Sequence, residues 1–238
     1  MSDFRNVLTG VLSDMEIVID DVAIDRLCMY YELLVEWNEK MNLTSLTEPR
    51  DAALKHFADS LMLLKYCDIP EGATVIDVGT GAGLPGLPLK IARQDIRLTL
   101  LDSLSKRLMF LDEVCDRLGL DGVQTVHSRA EDGSRTEMRE NFDIATARAV
   151  AELNMLAEYC LPYVREGGRF IAMKGKGAKD ELSAAEGAVE KLGARVASQN
   201  YFELAEAGER AILEFEKISP TPEQYPRREK VIRKKPLA

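Results

Sequence analysis

The stretch from Val75 to Leu87, Val-Ile-Asp-Val-Gly-Thr-Gly-Ala-Gly-Leu-Pro-Gly-Leu, constrains the fold of this chain more than any other. A short apolar run with an acid near its end leads into a glycine-dense turn and then into the start of a helix. Such a strand–turn–helix unit belongs to a parallel sheet and presents a ligand at the carboxyl end of the strand. Glycines at 79, 81 and 83 allow positive φ and close approach of the backbone. Gly81-x-Gly83-x-x-Gly86 also fits a dinucleotide fingerprint. In that fingerprint the first glycine directly follows the strand and the third lies within the helix. Here Gly79 already ends the strand, and Pro85 and Pro88 flank Gly86. Proline suits a first helical turn and not a later one, so the helix is expected to start near Leu84.

Asp77-x-Gly79-x-Gly81-x-Gly83 instead resembles the first motif of S-adenosylmethionine-dependent methyltransferases of the Rossmann-like class. That cofactor has no phosphate. Its amino-acid moiety and sulfonium cation suit backbone contacts and carboxylates. On this stretch alone, a dinucleotide enzyme and a purely structural turn stay open as alternatives.

The rest of the chain carries the same fold. From about Gly72, apolar runs at 74–78, 97–101, 123–127, 142–146 and 168–173 alternate with helical patterns at about 84–93, 104–118, 152–162 and 178–192. Two more strands, 195–203 and 210–218, close the series as a hairpin. Alternation of this kind implies a parallel, doubly wound core. The expected fold is therefore α/β, a Rossmann-like seven-stranded class I methyltransferase sheet, mostly parallel with a C-terminal antiparallel hairpin. Residues 1–68 are expected to add a small helical extension, with Leu27, Tyr30, Tyr31, Leu34 and Trp37 at helical spacing and a second helix from about Arg50 to Tyr66. The expected domains are 1–68, 69–220 for the catalytic unit, and 221–238 as a basic tail. Within Tyr225–Ala238, Arg227, Arg228, Lys230, Arg233, Lys234 and Lys235 face only Glu229, although the whole chain carries −9. Such a tail either binds phosphate locally or is merely solvated.

No apolar run reaches the about 18 residues of a membrane span. The N-terminal residues lack the layout of a signal peptide. Cys28, Cys67, Cys115 and Cys160 form no C-x-x-C pair and are expected as reduced thiols of a cytoplasmic protein. With only His56 and His127 available as imidazoles, no metal site is expected.

The ligand of an open parallel sheet lies beyond the strand ends, so those residues are the candidates. Asp102, at the end of the second strand and about twenty residues past the glycines, can accept both ribose hydroxyls or serve as a helix cap. Ala130 and Glu131 follow the third strand, where a backbone amide and a carboxylate can read an adenine edge; Glu131 could equally be a surface acid. Arg148 emerges from the fourth strand, where it can meet a phosphate, a base edge, the cofactor carboxylate or only a surface acid. Lys174 and Lys176, alternating with Gly175 and Gly177, make a cationic loop after the fifth strand that suits an anionic substrate or plain solvation. Neither an Asn/Asp-Pro-Pro-aromatic motif nor a Pro-Cys nucleophile follows the fourth strand. Cys160, Phe142, Tyr159, Tyr163 and Phe170 read as core, and His56 as a structural histidine.

Several segments together resemble one family. They are Trp37-Asn-Glu-Lys-Met-Asn-Leu-Thr44, His56-Phe-Ala-Asp-Ser-Leu61, the Asp77–Pro88 turn, Leu101-Asp-Ser-Leu-Ser-Lys-Arg107, Arg129-Ala-Glu131, Thr146-Ala-Arg-Ala-Val-Ala151 and Tyr225-Pro-Arg227. The family is the bacterial glucose-inhibited division protein B family, guanine-N7 methyltransferases of small-subunit ribosomal RNA. The resemblance covers about residues 25–238. It implies methyl transfer from S-adenosylmethionine to a guanosine of the 530 loop, at rRNA position 527. It places the cofactor on Gly79, Leu84, Ala130 and Glu131, with Arg148 at the boundary of cofactor and substrate. The class glycine motif adds Asp77, Gly81 and Gly83 and the strand-end logic Asp102, while Arg148 and Lys174 are the substrate-positioning candidates and no acid or base is assigned. The implied partners are 16S rRNA or the 30S subunit, with no membrane and no metal, the chain acting as a monomer. The alternatives are a methyltransferase of another RNA, a small molecule or a protein, and a non-catalytic rRNA-binding assembly factor.

Overall fold

The computed structural model describes residues 2–238, with side chains from Asp3 onward. Four helical pieces precede the sheet: α1 (Ser2–Asp14), α2 (Asp21–Met41), α3 (Pro49–Ala52) and α4 (Asp59–Tyr66), the last two joined by a π-helical turn, Ala53–Ala58. Asp20 starts α2 by accepting the Ala23 amide at 2.7 Å. Asn42, in the left-handed region, ends it.

The strands are β1 (Thr74–Val78), β2 (Arg97–Asp102), β3 (Val123–His127), β4 (Phe142–Arg148), β5 (Val164–Lys174), β6 (Ala194–Leu204) and β7 (Gly208–Lys217). Between them lie α5 (Gly86–Ala92), α6 (Ser105–Leu118), α7 (Ala130–Gly133), α8 (Leu153–Cys160) and α9 (Ala178–Lys191), and α10 (Glu229–Lys234) follows β7. The sheet order is β3-β2-β1-β4-β5-β7-β6. β1 to β5 run parallel, and β7 is antiparallel to both β5 and β6. All seven strands expected from the sequence are present, as is the C-terminal hairpin.

Alternate side chains of the strands feed two cores, as the pleat requires. Val75, Leu98, Leu100, Ile144 and Ile171 pack with α1, α2, α4, α5 and α6. Ile76, Val78, Leu101, Ala145, Phe170 and Phe215 pack with α8, α9, Ile232 and Leu237. The N-terminal helices thus cover one face of the sheet and continue its core. The C-terminal residues cover part of the other face: Ile232 is fully buried, and the Arg227 guanidinium holds the buried Glu158. The chain direction reverses between β1, which leads outward to β2, and β4 on its other side. That switch opens a crevice at the carboxyl ends of the strands.

Candidate functional site

Two cavities meet at this crevice. The first, of about 470 Å3, is lined by Val78 and Gly79 after β1, Leu101–Ser103 at the end of β2, Ser128–Glu131 after β3, and Ala149–Ala151 after β4. Arg107, Met155, Tyr159, Glu229 and Arg233 complete it. The second, of about 440 Å3, lies between the strand ends and the N-terminal helices. Lys55, His56, Asp59, Arg148, Met173, Lys174, Phe202 and Arg210 line it. Ala149 borders both, with φ at 55°. Both volumes fall in the range of small-molecule sites, about 300–1,000 Å3.

The glycine turn is held from below. Asp77 is fully buried, and its Oδ2 accepts the Thr80 hydroxyl at 2.7 Å and the Gly86 amide at 3.0 Å. It therefore fixes the turn and does not line either cavity. Burial pushes its carboxyl up to about 6, against the lowering effect of those two bonds. A raised carboxyl means that the native state holds the proton more tightly than the unfolded chain. Its contribution is fully present below about pH 4 and is lost as pH rises through 6. The difference in urea stability between wild type and Asp77→Asn should shift in the variant's favour as pH rises through this window, because the Asp77 contribution is the one lost. A difference between the two proteins that does not change with pH would refute the assignment to Asp77.

The glycines divide by role. Gly79 (φ 72°) borders the first cavity, and a Cβ there would come within 2.8 Å of Val150 Cγ2. Gly83 (φ 92°) faces the interior, where a Cβ would meet Leu87, the Tyr30 hydroxyl and Leu111 at 2.7–2.8 Å. Gly81 and Leu84 do not line the first cavity either, Leu84 being buried in the core under α2. Tyr30 of α2 donates its hydroxyl to the Ala82 carbonyl, which docks the N-terminal extension onto the turn.

Asp102 borders the cavity with both oxygens oriented. Oδ2 accepts the Gly81 amide at 3.0 Å and Arg107 at 3.2 Å, and Oδ1 accepts the Leu104 amide at 2.9 Å. α6 begins only at Ser105, so Asp102 braces the loop ahead of the helix while facing the cavity. Ala130 and Glu131 lie opposite, at the start of α7. Burial raises the Glu131 carboxyl, and the neighbouring acids Asp132 and Glu229 add to this.

Arg148 points away from the first cavity. Its Nη1 donates to Asp59 Oδ2 at 2.7 Å and to the Lys55 carbonyl at 3.0 Å. Lys55 lies within the π turn of residues 53–58, a local irregularity common at functional sites. Arg210 Nε approaches the other Asp59 oxygen at 3.4 Å. His56 lies beside them, with Nε2 at 2.9 Å from the Thr44 hydroxyl, and the Thr44 amide donates to Asn38 at 2.8 Å. His56 thus lines the second cavity, held through Thr44, in the segment that follows α2, and through Asn38 of α2. Burial, reinforced by the Arg148 charge, pushes the His56 imidazole down to about 4, so it is neutral at physiological pH. Lys174 is not a free cation. It donates to the Ala151 carbonyl at 2.9 Å and pairs with Glu181 at 2.6 Å.

Sequence reading missed Phe202, Arg210, Tyr159, Glu229 and Arg233. Phe202 and Arg210 sit on the edge hairpin, whose approach to the helical extension follows from sheet order alone. Glu229 and Arg233 lie in the segment expected only as a basic tail.

A seven-stranded sheet of this order, with a glycine turn and acids at its carboxyl edge, defines a Rossmann-like methyltransferase. The fold is similar to that of a SAM dependent methyltransferase from Aquifex aeolicus, at a TM-score of 0.52 and 19% identity over 68% of this chain and 92% of that one. The profile of the GidB family, rRNA small subunit methyltransferase G, matches residues 23–212, and the chain belongs to that family. It is 48% identical to the Ribosomal RNA small subunit methyltransferase G of Alkaliphilus metalliredigens, over 98% of both chains. It is 47% identical to that of Clostridium perfringens strain 13, over 89% of this chain and 90% of the relative.

Proposed function

We propose that this chain transfers the methyl group of S-adenosylmethionine to N7 of a guanosine in 16S rRNA, at position 527 of the 530 loop, acting in the cytoplasm. The observation that carries the reading is the pair of cavities sharing Ala149 at the carboxyl end of β4. Donor and acceptor can occupy one each and meet across that residue.

The first cavity suits the donor. Gly79 leaves space that a Cβ would fill, Asp102 presents a buried carboxylate to a ribose, and Ala130 and Glu131 offer an amide and a carboxylate to an adenine. Asp77, Gly81, Gly83 and Leu84 give the turn its shape from behind. When bound, the donor supplies an electrophilic methyl group on a sulfonium.

Guanine N7 has an in-plane lone pair and no proton, so the transfer needs no general base. The chain's contribution is to align N7 with the methyl group and to exclude water. Arg148 and Arg210 share the single carboxylate of Asp59, and Lys174 pairs with Glu181, so the lining keeps a positive excess. The second cavity therefore offers a positive surface to RNA phosphates, with Asp59 and Glu181 moderating the field on an atom that becomes positive. Phe202, stacked on Tyr66 with ring centroids 5.0 Å apart, supplies an aromatic surface to a splayed-out base.

Purified protein should transfer labelled methyl from S-adenosylmethionine to 16S rRNA or 30S subunits lacking the modification. No transfer to either, with the donor demonstrably bound, contradicts the reading. Label in a protein or small-molecule fraction favours a different acceptor.

A further inference from the structure

The C-terminal segment is fastened at one place after another. Arg139 donates to the carbonyls of Thr221 and Tyr225 at 2.7 and 2.9 Å, and Arg135 to that of Pro226 at 2.5 Å. Glu158, with no exposed side-chain surface, accepts the Arg227 amide at 2.7 Å and its guanidinium at 2.6 and 2.9 Å. Ile232 is buried among α8 and the sheet. These anchors bring α10 to the mouth of the first cavity. Glu229 and Arg233, one turn apart and 3.1 Å from each other, line it beside Tyr159 and opposite Glu131. Arg129, from the same end of the cavity, pairs with Glu229 at 3.2 Å. The Arg233 side chain is 71% exposed, with Glu229 and the Tyr159 hydroxyl as its partners at the cavity mouth.

We infer that α10 forms the outer wall of the donor cavity, with Arg233 and Glu229 contacting the adenine end of the bound donor. This rests on the donor reading above and adds two binding residues to it. An adenine offers an exocyclic amino group, ring-nitrogen acceptors and a π face. Carboxylates at 131 and 229 can accept from the amino group. A guanidinium at 233 can donate to a ring nitrogen or cover the face of the base, which an arginine does better than a lysine. The tail's basic residues then have divided duties: Arg227 anchors, and Arg233 meets the ligand.

Calorimetric titration of the full chain with S-adenosylmethionine, and separately with adenosine, tests this. Arg233→Ala should weaken both ligands by a similar factor, roughly ten-fold, with Arg233→Lys intermediate. Amide exchange in the unmodified protein should slow across 228–235 when the donor is added. Equal donor affinity in Arg233→Ala, or unchanged exchange across 228–235 on saturation, overturns the inference while leaving the donor cavity intact. Failure of the unmodified chain to bind either ligand overturns the donor reading itself and the inference with it.

Discussion

Arg148→Ala is expected to lower transfer to rRNA by at least about 100-fold while changing donor affinity less than about three-fold. The separation follows from where the side chain lies. Its guanidinium borders the second cavity and bridges Asp59 and the Lys55 carbonyl, whereas the donor cavity is lined by the residues that follow it in the chain. Removing it leaves Asp59, itself buried, with Arg210 alone at 3.4 Å. The π turn then loses its tie to β4, and the acceptor wall shifts relative to Ala149. An error of about 1 Å in aligning reacting atoms costs on the order of 100-fold. Both bonds leave the single Nη1 of Arg148; Arg148→Lys keeps the charge on a shorter side chain whose ammonium does not extend as far, so an intermediate rate is expected. Steady-state kinetics on 30S subunits, paired with donor titrations, separates the cases. A large loss of donor affinity in Arg148→Ala would place the side chain in the donor site instead.

Gly83→Ala is expected to destabilise the protein by about 3 kcal/mol, from left-handed backbone strain together with overpacking. At φ 92° the new methyl would sit within 2.8 Å of Leu87, the Tyr30 hydroxyl and Leu111, three groups from three elements. None can retreat easily, since Tyr30, Leu87 and Leu111 have no exposed surface. The melting temperature should fall by roughly 6–12 °C. Gly81→Ala is the control. At φ 60° its nearest neighbour would be the Gly79 carbonyl at 4.0 Å, so only the backbone cost of about 1–2 kcal/mol applies. Equal losses in the two variants would show that packing against α2 is not what fixes glycine at 83.

The contrast between these glycines shows how far the sequence could be read. The glycine turn was legible as a turn, because only glycine adopts such φ values freely, and the strands were legible from their apolar runs. The division of labour inside the motif was not. Asp77 and Gly83 look like ligand contacts in sequence, but one staples the loop to Thr80 and Gly86 and the other admits Tyr30 from a helix more than fifty residues earlier. That Asp102, Ala130 and Glu131 share one cavity was legible because strand ends in a parallel sheet share one edge. The π turn at 53–58 carries no sequence signature distinct from a helix. The C-terminal segment read as a charged tail because its anchors are remote: Glu158 lies 69 residues before Arg227. A local pattern cannot show such a pairing.

Mapping N7-methylguanosine in 16S rRNA, from cells with and without this protein, tests the proposed activity most directly. The modification at position 527 should be present with the protein, absent without it, and restored by the wild-type chain but only weakly by Arg148→Ala. Full methylation at that position in cells lacking the protein would contradict the assignment.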